Sequence, residues 1–183
     1  MPAAKTDYVI LGMLSIHPMS GYDIQKAIKE SVAYFWSESY GQIYPALKHL
    51  AAQRLIKART ASSGRRERQV YALTARGKAH LGAWLAMAPE ARPPRIELLL
   101  KLFFGVAAAE ACAGHVREFR TQQAHFLGEA LALEKLFAGA PKRPSDPGLA
   151  FRFRTLRYGL LHLQADLAWA DETLAFLAKP SHR

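Results

Sequence analysis

Apolar residues in the first half of the chain recur at helical spacing, in short bursts separated by polar or turn-forming residues. Tyr8, Val9, Leu11 and Leu14 predict a helix near 6–15, ended by a turn at His17-Pro18. Ser20 stands as an N-cap for a second helix from Gly21 to Ser31, with Tyr22, Ile24 and Ile28 as its apolar positions. Tyr34-Phe35-Trp36 is an aromatic connector. Ser39 is a further plausible cap for a third helix from Tyr40 to Gln53, where Ile43, Leu47 and Leu50 form one buried stripe. The period then falls towards two. Leu55–Thr60 and Arg68–Leu73 mix β-branched or aromatic residues with alternating polar ones, and the Gly-containing stretch 61–67 lies between them, so a β-hairpin is predicted. Thr74 caps a fourth helix to about Met87, with Leu81, Trp84 and Leu85 inward. Helix, helix, helix, hairpin, helix is the order of a winged helix-turn-helix.

Three prolines within 89–94 cannot continue a helix, so a linker is placed there. A helical second half follows: a short helix at 95–105, a long one at about 108–137, a loop at 140–148 and a last helix at about 149–178. Leu149, Phe153, Leu156, Leu160, Leu163, Leu167, Ala170, Leu174 and Leu177 alternate four and three apart, a seam of coiled-coil type. Val116, Phe119, Phe126, Ala130, Leu133 and Phe137 continue a similar pattern on the preceding helix, with Gln123 as a polar gap. The seam can close as a helical hairpin within one chain or as a dimerisation arm. A two-helix hairpin buries one face of each helix and needs something else to pack on, which favours dimerisation through Leu156, Leu160, Leu163, Leu167, Leu174 and Leu177. The expected fold is therefore mainly α. A winged-helix domain with a two-stranded wing covers 1–88, a linker 89–94, and an all-α dimerisation domain 95–183.

Charge sharpens the picture. The formal net charge of the 183 residues is +10. Residues 1–88 carry +7 of it and residues 89–183 carry +3. A basic segment is a candidate for binding a polyanion, or else a solvated surface. No apolar run reaches the ~18 residues that cross a bilayer, and the opening residues lack the features of a secretory signal, so a cytoplasmic protein is expected. Cys112 is the single cysteine, which reads as a core residue of a helix, with redox sensing the minority alternative.

On the third helix, Ile43, Leu47 and Leu50 point inward, leaving Gly41, Pro45, Lys48 and Ala52 outward, with Tyr44 on one flank and Gln42 and His49 on the other. A slim outer face lets a helix sit deep in a major groove. Gln42 can bond adenine bidentately, Lys48 can meet a phosphate or guanine, and Tyr44 can reach a phosphate. The hairpin adds Arg65, Arg66 and Arg68, which can lie along phosphates or enter a minor groove. Ser20, Tyr22 and Tyr40 complete the residues assigned to the DNA face.

Tyr8-Val9-Ile10-Leu11-Gly12-Met13-Leu14, Ser20-Gly21-Tyr22-Asp23-Ile24 and Ser39 through Leu50 resemble the PadR-family winged helix. Arg68 through Gly77 is similar to its second wing strand and following helix, and Arg95 through Gly105 to the start of the long C-terminal domain in the family's larger branch. The resemblance implies a homodimer on an inverted-repeat operator in double-stranded DNA, usually a repressor, relieved in some relatives by phenolic acids or lipophilic drugs. An effector site is expected at the junction of the two halves, with apolar walls from Tyr8, Phe103 and Phe104. Polar or cationic groups come from Arg152, Arg154, Tyr158 and His162, which lie off the seam and suit a small aromatic carboxylate. Solvated arginines, or arginines bridged to neighbouring acids, are the plainer alternative.

Enzymatic readings find no support. No two of the 12 glycines stand two apart, so GxGxxG is absent, as are GxSxG and GxxxxGK[ST]. The seven histidines include no pair three to five apart, so no local metal signature or cofactor motif exists. The rival to a DNA-binding regulator is a small-molecule-sequestering or protein-interaction dimer without specific operator binding.

Overall fold

The structure is a computed structural model that describes residues 5–32, 35–36, 40–63, 66–90, 95–139 and 148–179. It divides into two compact units, 1–91 and 92–183.

The first unit begins with α1 (Lys5–Ile16), whose inward face carries Ile10, Leu11, Met13 and Leu14. A two-residue strand β1 (Met19–Ser20) leads into α2 (Gly21–Ser31). A 3-10 turn at Tyr40–Gln42 then opens α3 (Ile43–Ala52). The hairpin is β2 (Ile56–Ser63) with β3 (Arg66–Leu73), followed by α4 (Ala75–Leu85). Ile10, Leu11, Ile24, Ile28, Ile43, Leu47 and Leu50 are fully buried together and form the core. Each such side chain taken from water contributes about 1.5–3 kcal/mol before entropy is counted.

The sheet has three strands in the order β1-β3-β2, all antiparallel. The third strand was not expected: Met19 pairs with Tyr71 and Ser20 with Val70, and two residues are too few to show a period. The hairpin also runs further than expected. Ser63 pairs with Arg66, where the hydrophobic alternation had faded by Thr60. Backbone pairing in a ribbon does not require apolar side chains, so it outlasts the sequence signal.

Two expected core positions lie at the surface. Leu85 is 66% exposed on α4, and Phe126 is 45% exposed on the long helix of the second unit. Leu85 is the last residue of its helix, and beside Phe126 the neighbouring Leu127 is the half-buried one.

The second unit contains α5 (Glu97–Phe103), a 3-10 turn at Gly105–Ala108, α6 (Ala109–Gly139) and α7 (Gly148–Leu177). α6 and α7 pack side by side along their length. Phe119 meets Trp169 and Phe137 meets Phe153, so the two helices run antiparallel. Arg157 donates to Glu134 at 3.1 Å, and Arg120 pairs with Asp171. Within one chain, α6 covers part of the seam expected at the dimer. Leu156, Leu160, Leu163 and Ala170 are buried, and Leu167, Leu174 and Leu177 are half-buried. Cys112 is buried beside Gly105, its Sγ 3.8 Å from the Lys101 carbonyl.

Among the described residues no single helix is long and apolar enough to cross a membrane.

Candidate nucleic-acid interface

The outer face of α3 and its preceding turn is open. Gln42, Tyr44, Pro45, Lys48 and His49 are exposed, while Ile43, Ala46, Leu47 and Leu50 anchor the helix from behind. Pro45 falls in the first turn, where its missing N–H costs no helix bond. Behind this face, α1 holds the helix at two points. Thr6 donates to Gln42 Oε1 at 3.3 Å, and the buried Asp7 carboxylate lies 3.2 Å from His49 Nδ1. A buried carboxylate needs such a partner, because an unpaired charge in the interior is costly. His49 Nε2 also meets Gln53 Nε2 at 2.8 Å. Sequence reasoning placed Gln42 and His49 but not Thr6 and Asp7, since the polar side of an amphipathic helix looks solvated until its neighbour is known.

The start of α2 joins this face to the wing. Ser20 caps α2 as half of a capping box: its Oγ accepts from the Asp23 amide at 3.2 Å, and Asp23 Oδ2 accepts from the Ser20 amide at 3.2 Å. The Ser20 hydroxyl also donates to Asp23 Oδ2 at 2.8 Å and accepts from Arg68 Nη2 at 2.7 Å. One hydroxyl has one proton and two acceptor sites, so Ser20 is saturated. It is also 3% exposed. Of the residues assigned to the DNA face, Ser20 thus has its side chain buried and its hydroxyl engaged by Asp23 and Arg68. Arg68 Nη2 further donates to Asp23 Oδ1 at 2.5 Å. Burial raises the Asp23 carboxyl, but hydrogen bonds from Ser20 and the bond and charge of Arg68 outweigh it and hold the group below the ordinary aspartate value. Tyr22 is well exposed beside this network, and the Tyr44 ring lies against Gly21, where a Cβ would approach within 2.8 Å of it. Asp23 was not singled out from sequence, although Ser20-x-x-Asp23 is a legible capping signal.

The remaining assigned residues divide plainly. Tyr40 lies in the 3-10 turn and Arg66 begins β3, but their side chains, and the whole of Arg65, lie outside the described residues. Of the effector candidates, Tyr8 belongs to the first unit. There it stacks on Trp84 at 4.5 Å and on His80 at 5.5 Å, between ring centroids. The other six belong to the second unit, Arg152 among them half-buried on α7. Phe103 and Phe104 are exposed and meet edge to face; Tyr158 and His162 are exposed, their rings 4.2 Å apart; Arg154 is exposed on α7. No cluster of three or more potential metal ligands occurs among the described residues.

A three-stranded winged helix with an open third helix, carried on the same chain as an antiparallel helical hairpin, is the architecture of winged-helix transcription regulators. Comparison with known proteins agrees. Residues 10–83 match the transcriptional regulator PadR-like family, and residues 94–178 match the family described as virulence activator alpha C-term. The chain is 33% identical over 177 residues to the negative transcriptional regulator PadR of Bacillus subtilis (strain 168), covering 94% of this chain and 97% of that protein. The structure of Bacillus subtilis PadR in complex with operator DNA matches with a TM-score of 0.79 and 30% identity, over 95% of this chain and 99% of that one. The same protein in complex with p-coumaric acid matches with a TM-score of 0.75 and 26% identity, over 98% of both chains. This chain belongs to the PadR-like family of transcriptional regulators.

Proposed function

We propose that this chain is a sequence-specific repressor that works in the cytoplasm, by binding rather than catalysis. It binds double-stranded operator DNA as a homodimer, on an inverted repeat, and a small aromatic acid releases it. Residues 1–88 supply the DNA-binding domain and 95–183 the helical domain, with 89–94 between them. One observation carries the reading. The fold of an operator-bound relative extends over nearly the whole chain, and the helix that enters the major groove in such folds here presents Gln42, Tyr44 and Lys48 to solvent. Tyr22 and the wing arginines Arg65, Arg66 and Arg68 flank it in sequence and topology.

The test begins with selection of duplexes from a random-sequence pool. The parent enriches an inverted repeat. Gln42→Ala relaxes one base position at a cost of about 1–3 kcal/mol, and Lys48→Ala weakens all duplexes alike. Replacing Arg65 and Arg66 with Ala flattens the salt dependence by about two units of slope. Parent-like binding by both the Gln42 and Lys48 variants would remove α3 from the interface.

Since α6 covers part of the α7 seam within the chain, the dimer contact is assigned to apolar side chains that remain exposed on the second unit, including Leu100, Phe103, Val106, Phe151 and Leu161. Light scattering checks this: Leu161→Glu lowers the mass towards one chain while helicity is kept. For the effector, p-coumaric acid is titrated against the complex with the selected duplex. Release that disappears in Arg154→Ala or His162→Ala supports those residues, and undiminished release in both removes them.

A further inference from the structure

We propose that Asp23, whose charge repels phosphate, is a positioning residue that sets sequence discrimination by holding the wing arginine Arg68 against the start of α2. The inference rests on the DNA-binding reading above and deepens it.

The geometry is unusually complete for a partly exposed ion pair. Arg68 sits on β3, paired across the hairpin with Ala61. It reaches sideways over β1 to the first turn of α2. There a single nitrogen, Nη2, serves both Ser20 Oγ and Asp23 Oδ1. Oδ2 of the same carboxylate takes the Ser20 amide and hydroxyl. One carboxylate thus completes the cap of α2 and anchors the strand of the wing. The backbone pairing of Ser20 with Val70 runs alongside, so the hold has one backbone and one side-chain strut. Guanidinium has five N–H donors. The two contacts use one nitrogen and leave donors on the others for phosphate or a base edge. The Arg68 side chain keeps 44% of its exposure, so those donors remain within reach of a ligand.

Two physical effects follow. An arginine already held in one geometry loses less freedom when it docks, which favours the sequence whose backbone lies where Arg68 points. A carboxylate at the rim also repels phosphate, which weakens binding to every sequence. Asp23 therefore lowers affinity for DNA in general while sharpening it for one site, the pattern of specificity obtained against competitors. An isolated exposed salt bridge would do neither to a measurable degree. The shared Ser20 hydroxyl and the capping box make the difference, because moving Arg68 also disturbs the helix start.

The experiment uses the full chain, the duplex enriched by the parent, and a scrambled duplex of the same length and composition. Binding is followed by fluorescence anisotropy at fixed salt. Asp23→Ala lowers the ratio of enriched to scrambled affinity by about tenfold or more, the size of one lost base-pair discrimination. Affinity for the scrambled duplex stays equal or rises. In an Arg68→Ala background, Asp23→Ala causes no further loss of the ratio. Asp23→Asn, which keeps one oxygen to accept from Arg68 but loses the acceptor facing the Ser20 amide, recovers part of it. A purely structural role would lower both affinities in step with thermal stability. A purely electrostatic role would raise both equally, and Asn would not recover the ratio. Either pattern overturns the proposal, as does an unchanged ratio in Asp23→Ala. If the parent enriches no sequence, the DNA-binding reading fails and the proposal falls with it. If the parent enriches one and Asp23→Ala keeps the ratio, only the proposal falls.

Discussion

Two glycines on α4 make opposite predictions from the same substitution. At Gly77 a Cβ would lie 2.0 Å from the Leu55 carbonyl oxygen and 2.9 Å from Leu73 Cδ1. The obstacle is backbone, and it cannot rotate away. Relief requires α4 to withdraw by more than about 1 Å from the base of the wing. That carbonyl accepts the Thr74 amide at 3.1 Å and the Thr74 hydroxyl at 2.9 Å, so withdrawal strains both bonds at about 1 kcal/mol each. Crowding adds about 1–3 kcal/mol. Alanine's better helix propensity returns about 1 kcal/mol. The net cost of Gly77→Ala is about 2–4 kcal/mol, a large share of the 5–15 kcal/mol that holds a typical domain together. Gly82, five residues on, has nothing within 4 Å of its Cβ position, so Gly82→Ala gains up to about 1 kcal/mol. Urea denaturation followed by circular dichroism measures both as shifts in midpoint at constant slope. If Gly77→Ala matches the parent, or Gly82→Ala is the more damaged of the two, the close approach of α4 to Leu55 is wrong.

The remaining predictions concern the seam and the cap. Leu160 is fully buried between α6 and α7, so Leu160→Ala costs about 2–5 kcal/mol. Because the seam lies within one chain, that cost is the same at low and high protein concentration; a cost that grows on dilution would return the seam to the dimer. Asp23 has a depressed carboxyl in the fold. Its contribution to stability is therefore fully present above the ordinary aspartate value, near 3.9, and is lost as pH falls through the lower folded value. The stability gap between parent and Asp23→Ala, from thermal melts between pH 2 and 7, should accordingly narrow only at the acid end; a gap independent of pH contradicts the ionised cap.

The order of elements was legible because long stripes at helical period and a Gly-containing turn between β-prone runs are strong signals. The stripe Ile43, Leu47, Leu50 put the correct face of α3 inward, and its open face follows from that. What could not be read was contact between elements. Ser20 was legible as a cap, but the bond that completes its hydroxyl comes from Arg68, 48 positions away. Asp7 looked like a surface acid, although α3 covers it. The seam on α7 was visible in full, but the same pattern serves a partner helix in the chain or across a dimer. The antiparallel return of α6 shows the first of these within the chain. Phe126 shows the limit of a fixed template: it is exposed while its neighbour Leu127 is half-buried, and Ala130, Leu133 and Phe137 keep to the stripe.

A hairpin that zips itself shut separates two kinds of selection on one arm. Substitutions along the inner stripe of α6 and α7 are judged by whether the arm folds. Substitutions at Phe151, Leu161 or Phe176, which stand outside it, are judged by what the arm meets. The outer letters can therefore drift, or be rewritten by an engineer, without unmaking the rod that carries them. Regulators that share this scaffold and coexist in one cell could keep apart by changing only that outer row, each recognising its own kind.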